Sequence, residues 1–97
     1  MRVESEKLIE QKLGLEVKRV GGMSIKIPAI HHAGIPDRLC LFPRGRAVFV
    51  EVKTTKKTPT KLQILVHKKL ERIGFPVKII DTTEGIKKFI DENTDNT

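Results

Sequence analysis

Tryptophan and tyrosine are absent from this 97-residue chain, and phenylalanine occurs only four times. A surface that binds single strands by stacking their bases needs aromatic rings, so that mode is disfavoured. Cysteine occurs once, as Cys40, which excludes an internal disulfide framework and any zinc site built on several thiolates. No apolar run approaches the roughly 20 residues of a bilayer crossing. The opening MRVESEKLIEQ, with acids among its first residues, is an amphipathic helix start rather than a signal peptide. A cytoplasmic chain of one domain, residues 1–97, is the expectation. Positive charge is abundant: 19 Lys and Arg against 12 Asp and Glu give +7. Such a surplus favours polyanions, nucleic acid first and an anionic membrane second. With few aromatics, contact through phosphates and duplex shape is expected. So short a chain builds a modest core, which makes a partner subunit an expectation as well.

Apolar periodicity orders the elements. Ile9, Leu13, Val17 and Val20 recur at helical spacing over residues 4–20, and Gly21-Gly22 stops the segment. Met23–Ile27 alternates like a strand and meets Pro28. A loop over 29–36 holds His31-His32 and Gly34. Arg38–Phe42 and Ala47–Lys53 predict a hairpin about Pro43-Arg44-Gly45, with glycine at the left-handed position. Thr54–Lys57 is a polar loop. Thr58-Pro59 predicts a cap and first residue of a helix reaching Ile73, with Leu62, Val66 or Leu65, Leu70 and Ile73 inward. Val77–Ile80 is a short buried strand, and Thr83 starts a last helix with Ile86, Phe89 and Ile90 inward. Residues 91–97 are expected to fray. Helix, three strands, helix, strand, helix is an α/β order: a mixed sheet with helices packed on it, its third and fourth strands parallel across the crossover helix.

Some charges sit at costly positions. Along the third strand Val48, Val50 and Val52 share one face, while Ala47, Phe49, Glu51 and Lys53 share the other. A three-residue hairpin loop pairs Phe42 with Arg46, and the count continues to Asp37 facing Glu51. Two carboxylates opposed across a ladder repel; a divalent metal offsets them best, with Lys53 on the same face. In the first helix Glu6 and Glu10 fall inside or beside the apolar stripe. Glu10 either points toward the sheet or snorkels to water and meets a lysine. Cys40 is a small core residue, His67 a helix-surface residue, and His31-His32 lack the third ligand a metal site needs.

Gly34-Ile35-Pro36-Asp37-Arg38-Leu39, then Phe49-Val50-Glu51-Val52-Lys53, then Leu62-Gln63 resemble motifs of the PD-(D/E)xK nuclease superfamily. More closely they resemble the virus-type replication-repair nuclease (VRR-NUC) domain of phages and of a eukaryotic repair nuclease. Ile9-Glu10, with Gly21-Gly22 downstream, is similar to that family's opening helix, and the likeness runs from about residue 4 to residue 90. The loop 54–61 departs from it, lacking the Pro-Gly often found there.

The resemblance implies a restriction-endonuclease-like core of order αβββαβ and metal-dependent hydrolysis of phosphodiesters. Asp37 and Glu51, hard oxygen donors, are then the ligands of Mg²⁺ or Mn²⁺, joined by the Val52 carbonyl and by Glu10, which sits at the family-like distance from Gly21. Lys53 stabilises charge on phosphorus, and Gln63 positions water or substrate. Lys26, His32, Arg38, Lys56, Lys57 and Lys61 hold backbone phosphates. No small-molecule cofactor and no membrane partner are expected. Branched DNA such as a four-way (Holliday) junction, cut by a homodimer in the cytoplasm of a bacterial host if the chain is phage-encoded, is the implied setting. The alternative is a non-catalytic basic nucleic-acid-binding protein.

Overall fold

The computed structural model describes residues 2–94. The elements run α1 (Glu6–Arg19), β1 (Met23–Lys26), a single 3-10 turn at Ala29–His31, β2 (Arg38–Phe42), β3 (Arg46–Val52), α2 (Lys61–Arg72), β4 (Val77–Ile80) and α3 (Thr83–Asn93). The sheet has four strands in the order β1-β2-β3-β4. The first three pair antiparallel, and β4 joins β3 parallel. This is the mixed α/β sheet expected, with Phe42 opposite Arg46 and Arg38 opposite Val50.

Alternation divides the sheet into two unlike faces. One carries Cys40, Phe42, Val48, Val50, Val52 and Ile80, all buried against Ile9, Leu13 and Val17 of α1 and Ile86, Phe89 and Ile90 of α3. Each such side chain contributes about 1.5–3 kcal/mol through removal from water, and Phe42 meets Phe89 edge to face at 5.6 Å. The other face carries Leu39, Leu41, Phe49 and Glu51, opposite Ile25, Met23, Val77 and Ile79 respectively. It is covered less fully, by α2 and by Phe75, whose ring lies 6.3 Å from that of Phe49.

Several boundaries differ from the expectation. α1 begins at Glu6 because Ser5 caps it, its Oγ accepting from the Leu8 N–H at 3.1 Å. Glu4 is drawn elsewhere: its carboxylate accepts from the Thr83 N–H (2.8 Å) and hydroxyl (2.6 Å), and its carbonyl accepts from the Thr54 hydroxyl at 2.7 Å. Those bonds from Thr83 hold the Glu4 carboxyl below its ordinary pKa. α2 begins after Thr60, not at Thr58-Pro59, because Thr60 and Gln63 form a reciprocal capping box that satisfies two backbone donors. The helix is also rotated from the expected apolar stripe: Val66 is buried, but Leu62 and Ile73 are exposed. Both Arg44 and Gly45 adopt positive φ in the hairpin loop, so the left-handed conformation is not confined to the glycine. Asp91–Asn93 continue α3 instead of fraying, with the Asn93 amide donating to the Phe89 carbonyl at 2.8 Å. Residues 95–97 of the expected frayed tail lie outside the described residues.

Gly34 seats the loop that precedes β2 against α2. Its φ is +85°, and a Cβ there would lie 2.9 Å from Val66 Cγ2 and 3.0 Å from the Leu62 carbonyl. Alanine therefore meets both a strained backbone and an occupied space. Gly34→Ala is expected to cost about 1–3 kcal/mol, each kcal/mol lowering the melting midpoint by roughly 4–8 °C. Thermal denaturation followed by circular dichroism measures this; an unchanged midpoint would contradict the close seating.

Candidate active site

The β2–β3 register decides where the acids meet. Asp37 stands one residue before β2 and, with Arg38 opposite Val50, is carried to Glu51 at the end of β3. Its backbone is fixed by the Ile27 N–H, which donates to the Asp37 carbonyl at 2.8 Å. Its carboxylate Oδ2 accepts the Val52 N–H at 2.8 Å. Glu51 lies on the same face as Phe49, beneath α2, and is only 1% exposed. Lys53 Nζ lies 3.4 Å from Glu51 Oε2. The Gln63 amide Nε2 donates to that same oxygen at 3.2 Å.

Gln63 is aimed by the helix cap. Its Oε1 accepts from the Thr60 N–H at 2.9 Å, which turns Nε2 toward Glu51. Glutamate closes a capping box as well as glutamine does, but here it would set a third carboxylate against Glu51. The local rule permits either residue; the tertiary neighbour favours the amide.

Burial, followed by the charge of Asp37, pushes the Glu51 carboxyl up to about 7, against the opposing pull of Lys53. Glu51 Oε1 has no hydrogen-bond partner, although it is buried. His67 Nε2 lies 3.6 Å from it and is equally unpartnered. Burial holds the His67 imidazole below its ordinary pKa. Among the described residues, no three His, Cys, Asp or Glu side chains are grouped so as to hold a metal by themselves. Magnesium does not require three: it commonly takes one or two carboxylates and keeps water in its other positions. Two converging carboxylates, one of them held out of water, fit that demand.

The remaining sequence candidates scatter around this centre. Glu10 is on α1, across the sheet from Glu51, 3.9 Å from Arg38 Nε and 3.8 Å from Lys26 Nζ. Arg38 is largely covered, its guanidinium also reaching the Ser24 hydroxyl at 3.4 Å. Val52 turns its side chain into the core. His32, Lys56, Lys57 and Lys61 are exposed, and Lys56 adopts positive φ while its N–H donates to Asp81 at 3.1 Å. His67 corrects the expectation of a surface residue: it is buried at 6% exposure. The missed signal is its spacing of four from Gln63, which puts both on one helix face. A concavity of about 690 Å³ runs along α3 past Thr82, Lys88 and Glu92 and contains none of these residues.

A mixed four-stranded sheet with carboxylates converging at the end of its third strand, and a lysine beside them, defines the restriction-endonuclease-like class. A solved structure described as a VRR_NUC domain superposes with a TM-score of 0.85, covering 94% of this chain and all of that one at 24% identity. Over 84 residues the chain is 36% identical to "Putative nuclease p44" of Acyrthosiphon pisum secondary endosymbiont phage 1, spanning 87% of this chain and 90% of the relative. No family model matches the sequence. The chain belongs to the same family as that phage protein and has the fold of a VRR_NUC domain.

The raised Glu51 pKa has a measurable consequence without metal. The folded state prefers the proton, so this group's stabilising contribution is complete below the ordinary value of 4.5 and is lost as pH rises through about 7. In EDTA, Glu51→Gln is therefore expected to melt at a higher temperature than the parent at pH 7.5, with the difference shrinking toward pH 5. A difference independent of pH would show that the carboxylate is not strained by its surroundings.

Proposed function

We propose that this protein is a divalent-metal-dependent endonuclease that hydrolyses phosphodiester bonds in structured DNA, with four-way junctions preferred, and that it works as a homodimer in the cytoplasm. The carrying observation is the buried Glu51 carboxylate beside Asp37, with Lys53 at 3.4 Å. Asp37, Glu51 and the Val52 carbonyl would hold Mg²⁺ or Mn²⁺. Glu10, held across the sheet in ion pairs with Arg38 and Lys26, would join the set only through water. A bound cation of this kind polarises the phosphoryl group and makes a water molecule more acidic.

The protein's own groups account for the rest. Lys53, held by Glu51, presents positive charge where negative charge grows on the phosphoryl oxygens. Gln63 keeps the Glu51 carboxylate from turning away and offers an amide to water or substrate. Lys56, Lys57 and Lys61 lie between β3 and the first turn of α2, so a backbone held by them passes close to Lys53. Such contacts hold phosphates and carry no base sequence. The homodimer is supported by the thinly covered sheet face, where Met23, Ile25 and Ile79 are 60%, 40% and 44% exposed. Two sites related by a two-fold axis suit paired cuts in a symmetric junction.

Junction, flap, fork and plain duplex DNA incubated with Mn²⁺ and separated on a denaturing gel test the substrate. Cleavage is expected to be strongest on the junction and to vanish in EDTA. Asp37→Asn, Glu51→Gln and Lys53→Ala should each lower cleavage by roughly 10²-fold or more while DNA binding in a mobility-shift assay persists. Full activity in Asp37→Asn would remove the site assignment, and binding without cleavage of any substrate would favour the non-catalytic reading. Sedimentation equilibrium showing only monomer at micromolar concentration would rule out the homodimer.

A further inference from the structure

A buried histidine facing a buried carboxylate is seldom idle, and His67 faces one. Its side chain is 8% exposed, and its Nε2 lies 3.6 Å from Glu51 Oε1. Neither atom has any other partner, although both are buried. The second carboxylate oxygen is already occupied by the Gln63 amide and approached by Lys53. Two orphaned polar atoms pointing at each other in the interior cost free energy unless they bond in the working state. A movement of about 0.5 Å closes the gap to hydrogen-bond length.

We infer that His67 is a positioning residue: its imidazole donates Nε2–H to Glu51 Oε1 and, with Gln63 on the other oxygen, locks the carboxylate in the orientation that receives a divalent cation. Val66, its neighbour, is buried at 5% and anchors the helix beside it. A Cβ on Gly34 would lie 2.9 Å from Val66 Cγ2 and 3.0 Å from the Leu62 carbonyl, so the loop and α2 are in close contact, α2 has little room to slide and the imidazole height is set by packing. Gln63 and His67, one turn apart, form a two-point clamp carried by one rigid helix. The inference rests on the reading of Glu51 as a metal-holding group.

The test measures metal binding directly and does not depend on cleavage. Mn²⁺ is titrated into the parent, His67→Leu and His67→Gln while the free-ion electron paramagnetic resonance signal is followed; thermal melts check that each variant folds. His67→Leu is expected to bind Mn²⁺ about ten- to a hundredfold more weakly. His67→Gln, which keeps an N–H donor at similar reach, is expected to recover most of that loss. In parallel, long-range ¹H–¹⁵N spectra of the metal-free parent at pH 8.5, where the Glu51 carboxyl is ionised, should show the proton on Nε2. Parent-like Mn²⁺ affinity in His67→Leu, or a glutamine variant as weak as the leucine variant, overturns the inference. So does a parent spectrum with Nε2 bare. If the leucine variant does not fold, the tautomer and the glutamine variant decide: a bare Nε2, or a loss beyond tenfold in His67→Gln, overturns it. A parent protein that binds no Mn²⁺ instead sinks the metal reading itself, which separates the two failures.

Discussion

A carboxylate held out of water beside a second carboxylate is the constraint around which this small protein is arranged. Removing an ionised group from water costs several kcal/mol unless its surroundings replace the lost solvation. Glu51 receives only part of that replacement, from Gln63 and Lys53 at one oxygen, while the other is bare. Asp37 adds repulsion. Such an arrangement persists only when the rest of the structure over-determines it, and strain of this kind gathers at functional sites. The deficit has one sign, an excess of unneutralised acid, and it defines the chemistry that relieves it.

The scaffold supplies that over-determination from several directions. The hairpin register brings Asp37 to Glu51, and the Val52 N–H pins the aspartate in place. Thr60 turns Gln63 toward the glutamate while starting α2. Gly34 lets the Asp37 loop and α2 touch without a gap. Glu4 binds the Thr54-Thr55 loop and the start of α3 at once, so the segment following Lys53 is tied to the first and last helices. None of these contacts is large. Together they leave the carboxylates little freedom to separate, which a charge-repelling pair would otherwise do.

The two sheet faces divide the work. The face under α1 and α3 is a continuous apolar core and supplies most of the burial. The face under α2 carries the polar cluster at one end, and apolar side chains such as Ile25 and Ile79 remain partly exposed. A helix resting on a polar cluster buries less apolar surface than one resting on a core, and the exposure of Leu62, Leu65 and Ile73 follows from that. The positive surplus of the whole chain lies largely on solvent-facing lysines, where it can act on a polyanion without perturbing the core.

Local rules carry far in this chain. Period-two alternation and a three-residue loop suffice to pair Phe42 with Arg46, to separate Val50 from Glu51, and to bring Asp37 toward Glu51, because each depends only on neighbours along the backbone. The apolar stripes of α1 and α3 are equally plain, since both helices rest on a uniformly apolar surface. The start and rotation of α2 are not legible in the same way. Thr58-Pro59 and Thr60 with Gln63 both satisfy the chemistry of a cap, and only the second gives Gln63 an acid to face. His67 looks like a solvated residue on an exposed stretch until the sheet beneath is seen to carry a glutamate there. Glu10 could turn inward or outward, and its engagement with Arg38 depends on how α1 lies across β2. The order of residues by itself determined the fold class and the meeting of Asp37, Glu51 and Lys53; tertiary structure alone decided which side chains of α2 complete their surroundings. Backbone periodicity says which residues share a face, but whether that face meets oil, charge or water depends on the element packed against it.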